Sequence, residues 1–360
     1  MEFGDTDPAW MKRALELAAR GLGYVEPNPM VGAVVLDSAG ALVGEGWHER
    51  YGGPHAEVQA LHRAGPRAAG GTLYVTLEPC CHWGKTPPCT VAVLASGIRR
   101  VVVAHADPFP QVAGGGLRAL THAGLSVEVG CCAMEAAALL APYLKLQHTG
   151  TPWVIAKWAM TLDGKIATHS GESKWISSEA SRHRVQELRG RVDAVLVGAG
   201  TVRADDPLLT ARVGGPRLPA RVVVCGSGNL PADCQLTRTA MAHPVLVYTA
   251  APERLLAWQT AGAEVIAVRS IHGVLRDLGQ RRFTNVLVEG GAGLLGSLFD
   301  AQAVDELEVY IAPMIVGGAA APGPVAGQGV AMLNDALRFE NMHYHSIGTD
   351  VLLRARRATG

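Results

Sequence analysis

Two stretches of the chain carry its strongest chemical signal: Pro54-His55-Ala56-Glu57, and Glu78-Pro79-Cys80-Cys81-His82-Trp83-Gly84-Lys85-Thr86-Pro87-Pro88-Cys89. Together they offer one imidazole and a choice of thiols, the ligand types that Zn²⁺ prefers, and three protein ligands leave a fourth position open. A lone histidine or cysteine more often serves packing, but prolines that stiffen a loop carrying thiols favour a metal site. We therefore predict a zinc site at which Glu57 carries protons.

The expected zinc ligands are His55, Cys80 and Cys89. The order H-x-E, then P-C and a second cysteine, is the signature of zinc-dependent nucleobase deaminases, although the interval between the two cysteines is longer here. Cys81 competes with Cys80 as a ligand in principle. Because adjacent cysteines rarely both reach one tetrahedral ion, we assign Cys81 to packing or to a supporting position.

The long interval between the cysteines resembles that of the pyrimidine deaminase of riboflavin biosynthesis. Two further runs share the resemblance: Pro27-Asn28-Pro29-Met30-Val31-Gly32 and Asp107-Pro108-Phe109-Pro110-Gln111-Val112-Ala113-Gly114. The resemblance implies substrate contacts from Asn28 and His82. The chain departs from the family at Gly115, where a basic residue is usual. If that basic residue binds the substrate phosphate, another cation such as Lys85 must replace it.

The composition excludes several other functions. A length of 360 residues suggests two domains, and 48% hydrophobic residues are enough for filled cores. The 32 Lys+Arg balance the 32 Asp+Glu, so we expect no binding to nucleic acid. No apolar run approaches the roughly 18–20 residues of a membrane helix, and the acidic N-terminus predicts no signal peptide. The seven cysteines are expected to be reduced thiols of a cytoplasmic protein.

The spacing of apolar residues predicts an α/β alternation along the whole chain. A predicted helix over 134–147 leads into His148-Thr149-Gly150-Thr151-Pro152, a polar stretch rich in turn residues. We therefore predict a first domain over 1–147, which contains the zinc site, and a second domain over 152–360.

The second domain carries motifs that are weak individually. They are Lys157-Trp158-Ala159-Met160-Thr161-Leu162-Asp163-Gly164-Lys165, Ser170-Gly171-Glu172-Ser173-Lys174-Trp175, Gly198-Ala199-Gly200-Thr201-Val202-Arg203-Ala204-Asp205-Asp206-Pro207 and Glu289-Gly290-Gly291. In this order they resemble the reductase domain of the riboflavin pathway, whose fold is similar to dihydrofolate reductase. The whole chain thus resembles the bifunctional diaminohydroxyphosphoribosylaminopyrimidine deaminase and 5-amino-6-(5-phosphoribosylamino)uracil reductase. The resemblance implies a three-layer α/β domain like cytidine deaminase, followed by an α/β domain like dihydrofolate reductase.

The run Gly291-Ala292-Gly293-Leu294-Leu295-Gly296 matches the G-x-G-x-x-G fingerprint of Rossmann folds. A Rossmann unit normally opens its domain, with a ribose-binding acid on the following strand. This run lies near the end of its domain, and Asp305 follows too soon to be that acid. Glycines before a helix still let backbone amides approach a pyrophosphate. We therefore expect Gly290, Gly291, Ala292 and Gly293 to form the phosphate cradle of NADPH in a non-Rossmann fold.

The remaining candidate site residues belong to the reductase. Lys157 and Asp205 are candidates for proton handling, with an internal ion pair as the alternative. Arg189 and Arg212 suit bidentate phosphate binding, with solvated surface arginines as the alternative. The resemblance adds substrate contacts at Ser173, Leu209 and Glu289, and cofactor contacts at Ala159, Trp175, Thr201, Asp205 and Ser227. Trp175 and Leu209 could equally be core residues.

We expect a homo-oligomeric enzyme that uses Zn²⁺ and NADPH on small pyrimidine ribotides. The resemblance implies deamination of 2,5-diamino-6-(5-phosphoribosylamino)pyrimidin-4(3H)-one, followed by reduction of the ribosyl side chain to ribityl. It also implies NADPH in preference to NADH, with Arg203 or Ser227 as candidate ligands of the 2′-phosphate. One alternative is a second domain that only binds or regulates. Another is a cytidine or tRNA deaminase fused to an unrelated oxidoreductase, which the neutral charge disfavours.

Overall fold

The computed structural model describes residues 3–358. The chain divides into two compact units, one before and one after the bond between Gly150 and Thr151. The helix predicted over 134–147 runs to Thr149, so the first two residues of the predicted turn-rich stretch are helical. None of the helices in residues 3–358 combines the length and the apolar character that crossing a membrane requires.

The first unit contains five helices and five strands among its described residues. The helices are α1 (Asp7–Ala19), α2 (Ala56–Ala64), α3 (Cys89–Ala95), α4 (Gly115–His122) and α5 (Ala133–Thr149), and the strands are β1 (Gly32–Leu36), β2 (Leu42–Trp47), β3 (Thr72–Leu77), β4 (Arg100–His105) and β5 (Ser126–Val129). The strands form one sheet in the order β2-β1-β3-β4-β5. Strand β1 is antiparallel to both of its neighbours, whereas β3, β4 and β5 are parallel.

Helices cover both faces of this sheet. Because successive side chains of a strand point to opposite faces, Val35, Val75 and Val103 pack in a core with residues of α2, α3 and α4. Their neighbours, such as Val34 and Val102, pack in a second core with residues of α1 and α5. This arrangement confirms the predicted three-layer α/β domain.

Strand β2 is an element that the spacing of apolar residues does not predict. It contains Gly44 and Gly46, and glycine weakens a strand unless another backbone approaches closely. A Cβ atom added at Gly44 would lie 2.2 Å from the Ala60 carbonyl oxygen, and one added at Gly46 would lie 2.5 Å from the Ala56 carbonyl oxygen. The backbone of α2 therefore lies directly on β2, which fixes the position of His55 at the start of the helix.

The second unit is built on one nine-stranded sheet. Its strands are β6 (Trp153–Thr161), β7 (Ala194–Gly198), β8 (Ala220–Val224), β9 (Val245–Thr249), β10 (Glu264–Ala267), β11 (Asn285–Val288), β12 (Glu306–Ala312), β13 (Phe339–Ile347) and β14 (Asp350–Arg357), and its helices are α6 (Glu179–Arg189), α7 (Ala199–Asp205), α8 (Gln235–Arg238), α9 (Leu256–Thr260), α10 (Ile271–Gln280) and α11 (Ala292–Asp300). The strand order is β10-β9-β8-β7-β11-β6-β12-β14-β13. The strands from β10 to β12 in this order are parallel, and β14 is antiparallel to both β12 and β13.

Helices also cover both faces of the second sheet. One core joins side chains of α10 and α11, such as Leu278 and Leu298, to one face of the central strands. The other core places Val202 of α7, Leu236 of α8 and Trp258 of α9 against the opposite face. The carboxyl ends of the parallel strands meet at a single edge, where α/β proteins commonly bind their ligands.

Candidate active sites

Three predicted zinc ligands converge in the first unit. His55 precedes α2, Cys80 follows β3, and Cys89 opens α3. Nδ1 of His55 lies 3.2 Å from Sγ of Cys89 and 3.5 Å from Sγ of Cys80. Within residues 3–358, no other group of three histidine, cysteine or acidic side chains brings its ligand atoms this close together.

The geometry and protonation of this group fit zinc. Tetrahedral Zn²⁺ with Zn–N of about 2.0–2.1 Å and Zn–S of about 2.3 Å separates nitrogen from sulfur by about 3.5 Å. The backbone N–H of Cys89 donates to Sγ of Cys80 at 3.3 Å. Hydrogen bonding by the Cys89 thiol, helped by His55, lowers the pKa of Cys80, whereas the same contact raises the pKa of Cys89. Since zinc binds cysteine as the thiolate, the site already holds one ligand in the required form.

Cys81 lies outside the group of ligand atoms. Its Sγ is 3.7 Å from the carbonyl oxygen of Gln111. A Cβ atom added at Gly115 would lie 2.8 Å from the same sulfur. Cys81 therefore packs against the start of α4, which agrees with the supporting position expected for it.

Glu57 lies in the first turn of α2, two residues after the histidine, and is 3% exposed. Burial raises the pKa of Glu57 to about 7, although the charge of His55 opposes the shift. A carboxyl group whose pKa is near neutrality suits general acid–base catalysis. Its position and its pKa support the role of proton carrier.

His48 is a residue of this site that sequence reasoning did not identify. It is buried at the end of β2, and its ring meets that of His55 edge to face with centroids 5.1 Å apart. Nδ1 of His48 lies 3.2 Å from the Pro54 carbonyl oxygen, and Nε2 lies 3.4 Å from Nδ2 of Asn28. Burial lowers the pKa of His48, so the neutral ring can donate to Pro54 and accept from Asn28. This chain of contacts ties the predicted substrate residue Asn28 to the metal group.

His82 lies between the two cysteine ligands in sequence. Its ring centroid lies 5.7 Å from that of Phe109. Nδ1 of His82 is buried and has no hydrogen-bond partner within residues 3–358. An unsatisfied buried nitrogen is costly unless a ligand completes it, which fits the substrate contact expected for His82.

Glu78 has a positioning role that the sequence did not reveal. This carboxylate is 3% exposed and follows β3 directly. It accepts four backbone hydrogen bonds, from the N–H groups of Asp107, Gly114, Gly116 and Leu117, at 2.9–3.2 Å. The start of α4 has no capping side chain of its own. Glu78 therefore satisfies the free amides there and links the zinc loop to the loop that follows β4.

Buried charges cluster in the second unit at Lys157 on β6 and Glu289 after β11. Nε and Nη2 of Arg189 donate to the two carboxylate oxygens of Glu289 at 2.5 and 3.0 Å. Nζ of Lys157 lies 3.8 Å from Oε2 of Glu289. Burial opposes ionisation of Glu289, but the charges of Arg189 and Lys157 outweigh it and lower its pKa. Burial lowers the pKa of Lys157, against the attraction of Glu289.

The structure pairs the two predicted proton-handling residues with different partners. Asp205, the last residue of α7, faces Lys174, with Nζ 3.5 Å from Oδ1. Lys157 and Asp205 do not pair with each other, but the alternative of an internal ion pair does describe Lys157, which pairs with Glu289.

The other predicted substrate residues surround α6 and the loop after α7. The guanidinium of Arg189 is held by Glu289 and by the Thr210 carbonyl oxygen. The backbone N–H of Arg212 donates to Oε1 of Gln186, and its side chain is exposed. Leu209 is buried in a core at a φ of 59°, and Ser173 is half-buried in the segment before α6.

The predicted cofactor residues fall into two groups. Gly291, Ala292 and Gly293 line a pocket of about 470 Å³ at the carboxyl edge of the second sheet. Oγ1 of Thr201 borders this group, since a Cβ atom on Gly291 would lie 3.3 Å from it. A second group lies outside the lining: Ala159 pairs with Tyr310 on β12, Trp175 is 64% exposed and stacks with Arg182, and Ser227 is exposed.

The pocket fits a dinucleotide. Helices α7, α10 and α11 all begin at it, and helix N-termini offer free backbone amides to phosphates. A Cβ atom on Gly200, Gly226 or Gly293 would project into open space, so the glycines leave room for a ligand. Strand β11 precedes the glycines but lies in the middle of the sheet and late in the unit, as expected for a non-Rossmann fold.

The protein belongs to a class in which a deaminase is joined to a reductase. One unit holds a zinc-type deaminase site, and the other holds a dinucleotide pocket beside buried charges. Two family models match accordingly. The cytidine and deoxycytidylate deaminase zinc-binding region matches residues 5–105, and the RibD C-terminal domain matches residues 152–353.

Relatives match the chain over nearly its whole length. The riboflavin biosynthesis protein RibD of Bacillus amyloliquefaciens is 42% identical, over 96% of this chain and 95% of the relative. RibD of Acinetobacter baumannii superposes with a TM-score of 0.87 at 38% identity, over 98% and 99% of the two chains. The Thermotoga maritima diaminohydroxyphosphoribosylaminopyrimidine deaminase/5-amino-6-(5-phosphoribosylamino)uracil reductase superposes with a TM-score of 0.84 at 36% identity, over the same shares.

The chain therefore belongs to the RibD family of riboflavin biosynthesis. It is a bifunctional enzyme of small pyrimidine substrates, a hydrolase in its zinc deaminase part and an oxidoreductase in its NADPH-dependent reductase part. The predicted function, fold class and cofactors are confirmed.

The ligand geometry makes a prediction about zinc content. Cys80→Ser and Cys89→Ser should each lose most of the bound zinc, because serine replaces a soft thiolate at a three-ligand site. Cys81→Ser should keep one zinc ion per chain, because its sulfur points to Gln111. Elemental analysis after dialysis against a weak chelator measures the content. Zinc retained by Cys80→Ser and lost by Cys81→Ser would reverse the ligand assignment.

The hydrogen bonds of Glu78 make a second prediction. Glu78→Gln leaves one acceptor oxygen and turns an NH₂ group toward two backbone donors, which should cost about 2–4 kcal/mol in the free energy of unfolding. Amide hydrogen exchange over residues 107–117 should quicken, with a smaller change elsewhere. Glu135→Gln is the matched control, because Glu135 is exposed in the first turn of α5. Equal exchange in the two variants would show that Glu78 does not hold this loop.

Proposed function

We propose that the first unit deaminates 2,5-diamino-6-(5-phosphoribosylamino)pyrimidin-4(3H)-one. The second unit then reduces the ribosyl side chain to give 5-amino-6-(5-phosphoribitylamino)uracil. The observation that carries the proposal is the His55–Cys80–Cys89 group beside buried Glu57 in a chain that also holds Lys157 and Glu289. We place the two activities in domains over 1–147 and 152–360. The activities named for the Thermotoga maritima relative support this pair of reactions.

For deamination, His55, Cys80 and Cys89 would hold the zinc, which when bound acts as a Lewis acid and lowers the pKa of a water molecule. Glu57 takes a proton from the attacking water and delivers it to the departing amine, as its near-neutral pKa permits. Asn28 has its amide nitrogen engaged by His48, so its oxygen remains to accept from the base. The buried, unsatisfied nitrogen of His82 supports a second contact with the substrate.

If the basic residue usual at this position binds the substrate phosphate, this chain must supply another cation, because Gly115 has no side chain. Lys85 places its Nζ 4.0 Å from the ring centroid of Tyr51, which leaves the ammonium open to an anion on its other side. Arg118 is a further candidate, because its Nη1 would lie 2.8 Å from a Cβ atom on Gly114. Its guanidinium therefore lies over the glycine segment itself.

For reduction, the glycine segment at Gly291–Gly293 would hold NADPH, which when bound would supply a hydride for C1 of the opened ribose or its imine. Lys157 donates the accompanying proton, which the lowering of its pKa by burial makes easier. Glu289 holds Lys157 and Arg189 and offers oxygens to the substrate, while Asp205 polarises the reacting group. The proposed further contacts are Ser173, Arg189, Leu209 and Arg212 for the substrate, and Ala159, Trp175, Thr201, Asp205, Ser227 and Gly290–Gly293 for the cofactor.

We place the enzyme in the cytoplasm. All seven cysteines lie within the described residues, and all seven are free thiols. Free thiols and a thiolate metal site are typical of a reducing compartment.

We also propose that the chain forms a homo-oligomer through strand β13. This strand ends the nine-stranded sheet, and its side chains at 340–346 are exposed on both faces. Tyr344 is 59% exposed, and Leu333 in the preceding segment is 85% exposed. An open sheet edge beside exposed apolar side chains is a common surface for self-association.

Light scattering tests the oligomer. The wild-type chain should have at least twice the mass of one chain, and Tyr344→Asp should reduce it, because a charge would be buried in the interface. Met134→Asp, at an exposed methionine of the first unit, is the control. A wild-type mass of one chain would exclude the proposal.

Separate assays of the half-reactions test the assignment of the sites. Glu57→Gln should lower deamination by about 10²–10⁴-fold, because the amide cannot carry a proton, while zinc stays bound and reduction of the deaminated ribotide is unchanged. Lys157→Ala should lower the rate of reduction and leave deamination unchanged. Steady-state turnover is measured with the proper substrate supplied to each half-reaction.

The loss of both activities in one folded variant would contradict this division. It would mean that the two reactions share a site. Zinc content and thermal unfolding serve as the controls for folding.

A further inference from the structure

We propose that Arg269 recognises the 2′-phosphate of NADPH and so sets the preference for NADPH over NADH. The inference rests on the proposed reductase function and names the residue that selects its cofactor. Neither Arg203 nor Ser227, the candidates that the sequence suggested, lines the cofactor pocket.

The order of the strands fixes the direction of the cofactor. Lys157, a proposed catalytic residue, lies on β6, and Glu289, a proposed substrate contact, follows β11, which is the neighbour of β6 in the sheet. The nicotinamide must reach these residues to deliver its hydride. The pocket extends from the start of α11, past β7, β8 and β9, to the segment after β10. The adenosine end must therefore lie toward β9 and β10.

The pyrophosphate and the 2′-phosphate of the cofactor are assigned to different parts of the pocket. The pyrophosphate has the backbone amides at Gly291–Gly293, where no side chain obstructs it. Arg269 belongs to the same pocket lining, on the side of β9 and β10.

Arg269 is the one charged residue among the described residues that line this pocket. It is the second residue after β10, at the adenosine end, next to Ser270 at the start of α10. The side chain is exposed and forms no hydrogen bond or ion pair with any residue from 3 to 358. Tyr248 and Ile271 provide apolar walls nearby for an adenine ring.

Two other arginines near this edge donate to loop carbonyl oxygens. Nη1 of Arg203 donates to the Asn229 carbonyl oxygen at 2.8 Å. Nη1 of Arg254 lies 3.3 Å from the carbonyl oxygen of Ser227. An unengaged guanidinium, in contrast, can offer its planar fork to a phosphate. The chemistry that Arg269 selects is a phosphate monoester on the ribose of an adenine nucleotide.

Binding of two probe nucleotides to the full-length zinc enzyme tests the inference without turnover. Adenosine 2′,5′-bisphosphate and adenosine 5′-monophosphate differ only in the 2′-phosphate. By calorimetry, Arg269→Ala should raise the Kd of the bisphosphate by about 10–100-fold and leave that of the monophosphate within about twofold. Arg269→Lys should give an intermediate Kd, because it keeps the charge but loses the fork. Arg276→Ala, at an exposed arginine of the same helix outside the pocket lining, should change neither.

Kinetics give a second measure. The KM for NADPH should rise in Arg269→Ala, while the KM for NADH should not. An unchanged Kd for the bisphosphate would overturn the inference. An equal rise in the Kd of both nucleotides would also overturn it, because Arg269 would then bind a group that the two nucleotides have in common. The absence of turnover with either cofactor in the wild type would count against the reductase proposal alone, since the binding comparison still decides the role of Arg269.

Discussion

The main constraint on this molecule is that its parallel strands all end at one edge of their sheet. Each parallel strand must be followed by a crossover, usually a helix, so that edge also collects helix N-termini with free backbone amides. The chain uses those amides in both units. In the first, Glu78 binds the start of α4 and Cys80 accepts from the start of α3. In the second, glycines open the start of α11 to the pocket. Residues far apart in sequence meet for this reason.

The two sites show how partners decide what burial does to a carboxyl group. Glu57 is deeply buried, and desolvation prevails, so its pKa rises to about 7. Glu289 is also buried, but Arg189 and Lys157 flank it and lower its pKa. The first group can gain and lose a proton near neutrality, whereas the second remains an anion that fixes two cations. One residue type thus serves as a proton carrier in one unit and as a fixed charge in the other.

Local patterns made the zinc site predictable, and only the tertiary fold could supply the rest. His55 and Cys89 lie at helix starts and Cys80 lies in the loop after β3, and a proline precedes each of them, so all three could be named in advance. The partner of Lys157 could not be named in advance. Glu289 and Asp205 are both acidic, and only the strand order, which places β11 beside β6, shows that Glu289 is the partner. Strand β2 was not predicted because Gly44 and Gly46 have a low propensity for strands. Their role is to let the backbone of α2 pack closely on the strand. Strand β13 escaped because it has no buried face to impose an alternating pattern.

Gly115 lies in a sterically restricted position. A Cβ atom there would lie 2.8 Å from Sγ of Cys81, which is too close unless the cysteine moves. The neighbouring Gly116 is more tightly constrained, since its Cβ atom would lie 2.0 Å from the backbone carbonyl oxygen of Pro79. A side chain at 115 therefore requires the Cys81 side chain to move from its observed position. Any cation for the substrate phosphate must then come from another backbone position, which is why Lys85 and Arg118 matter for this chain.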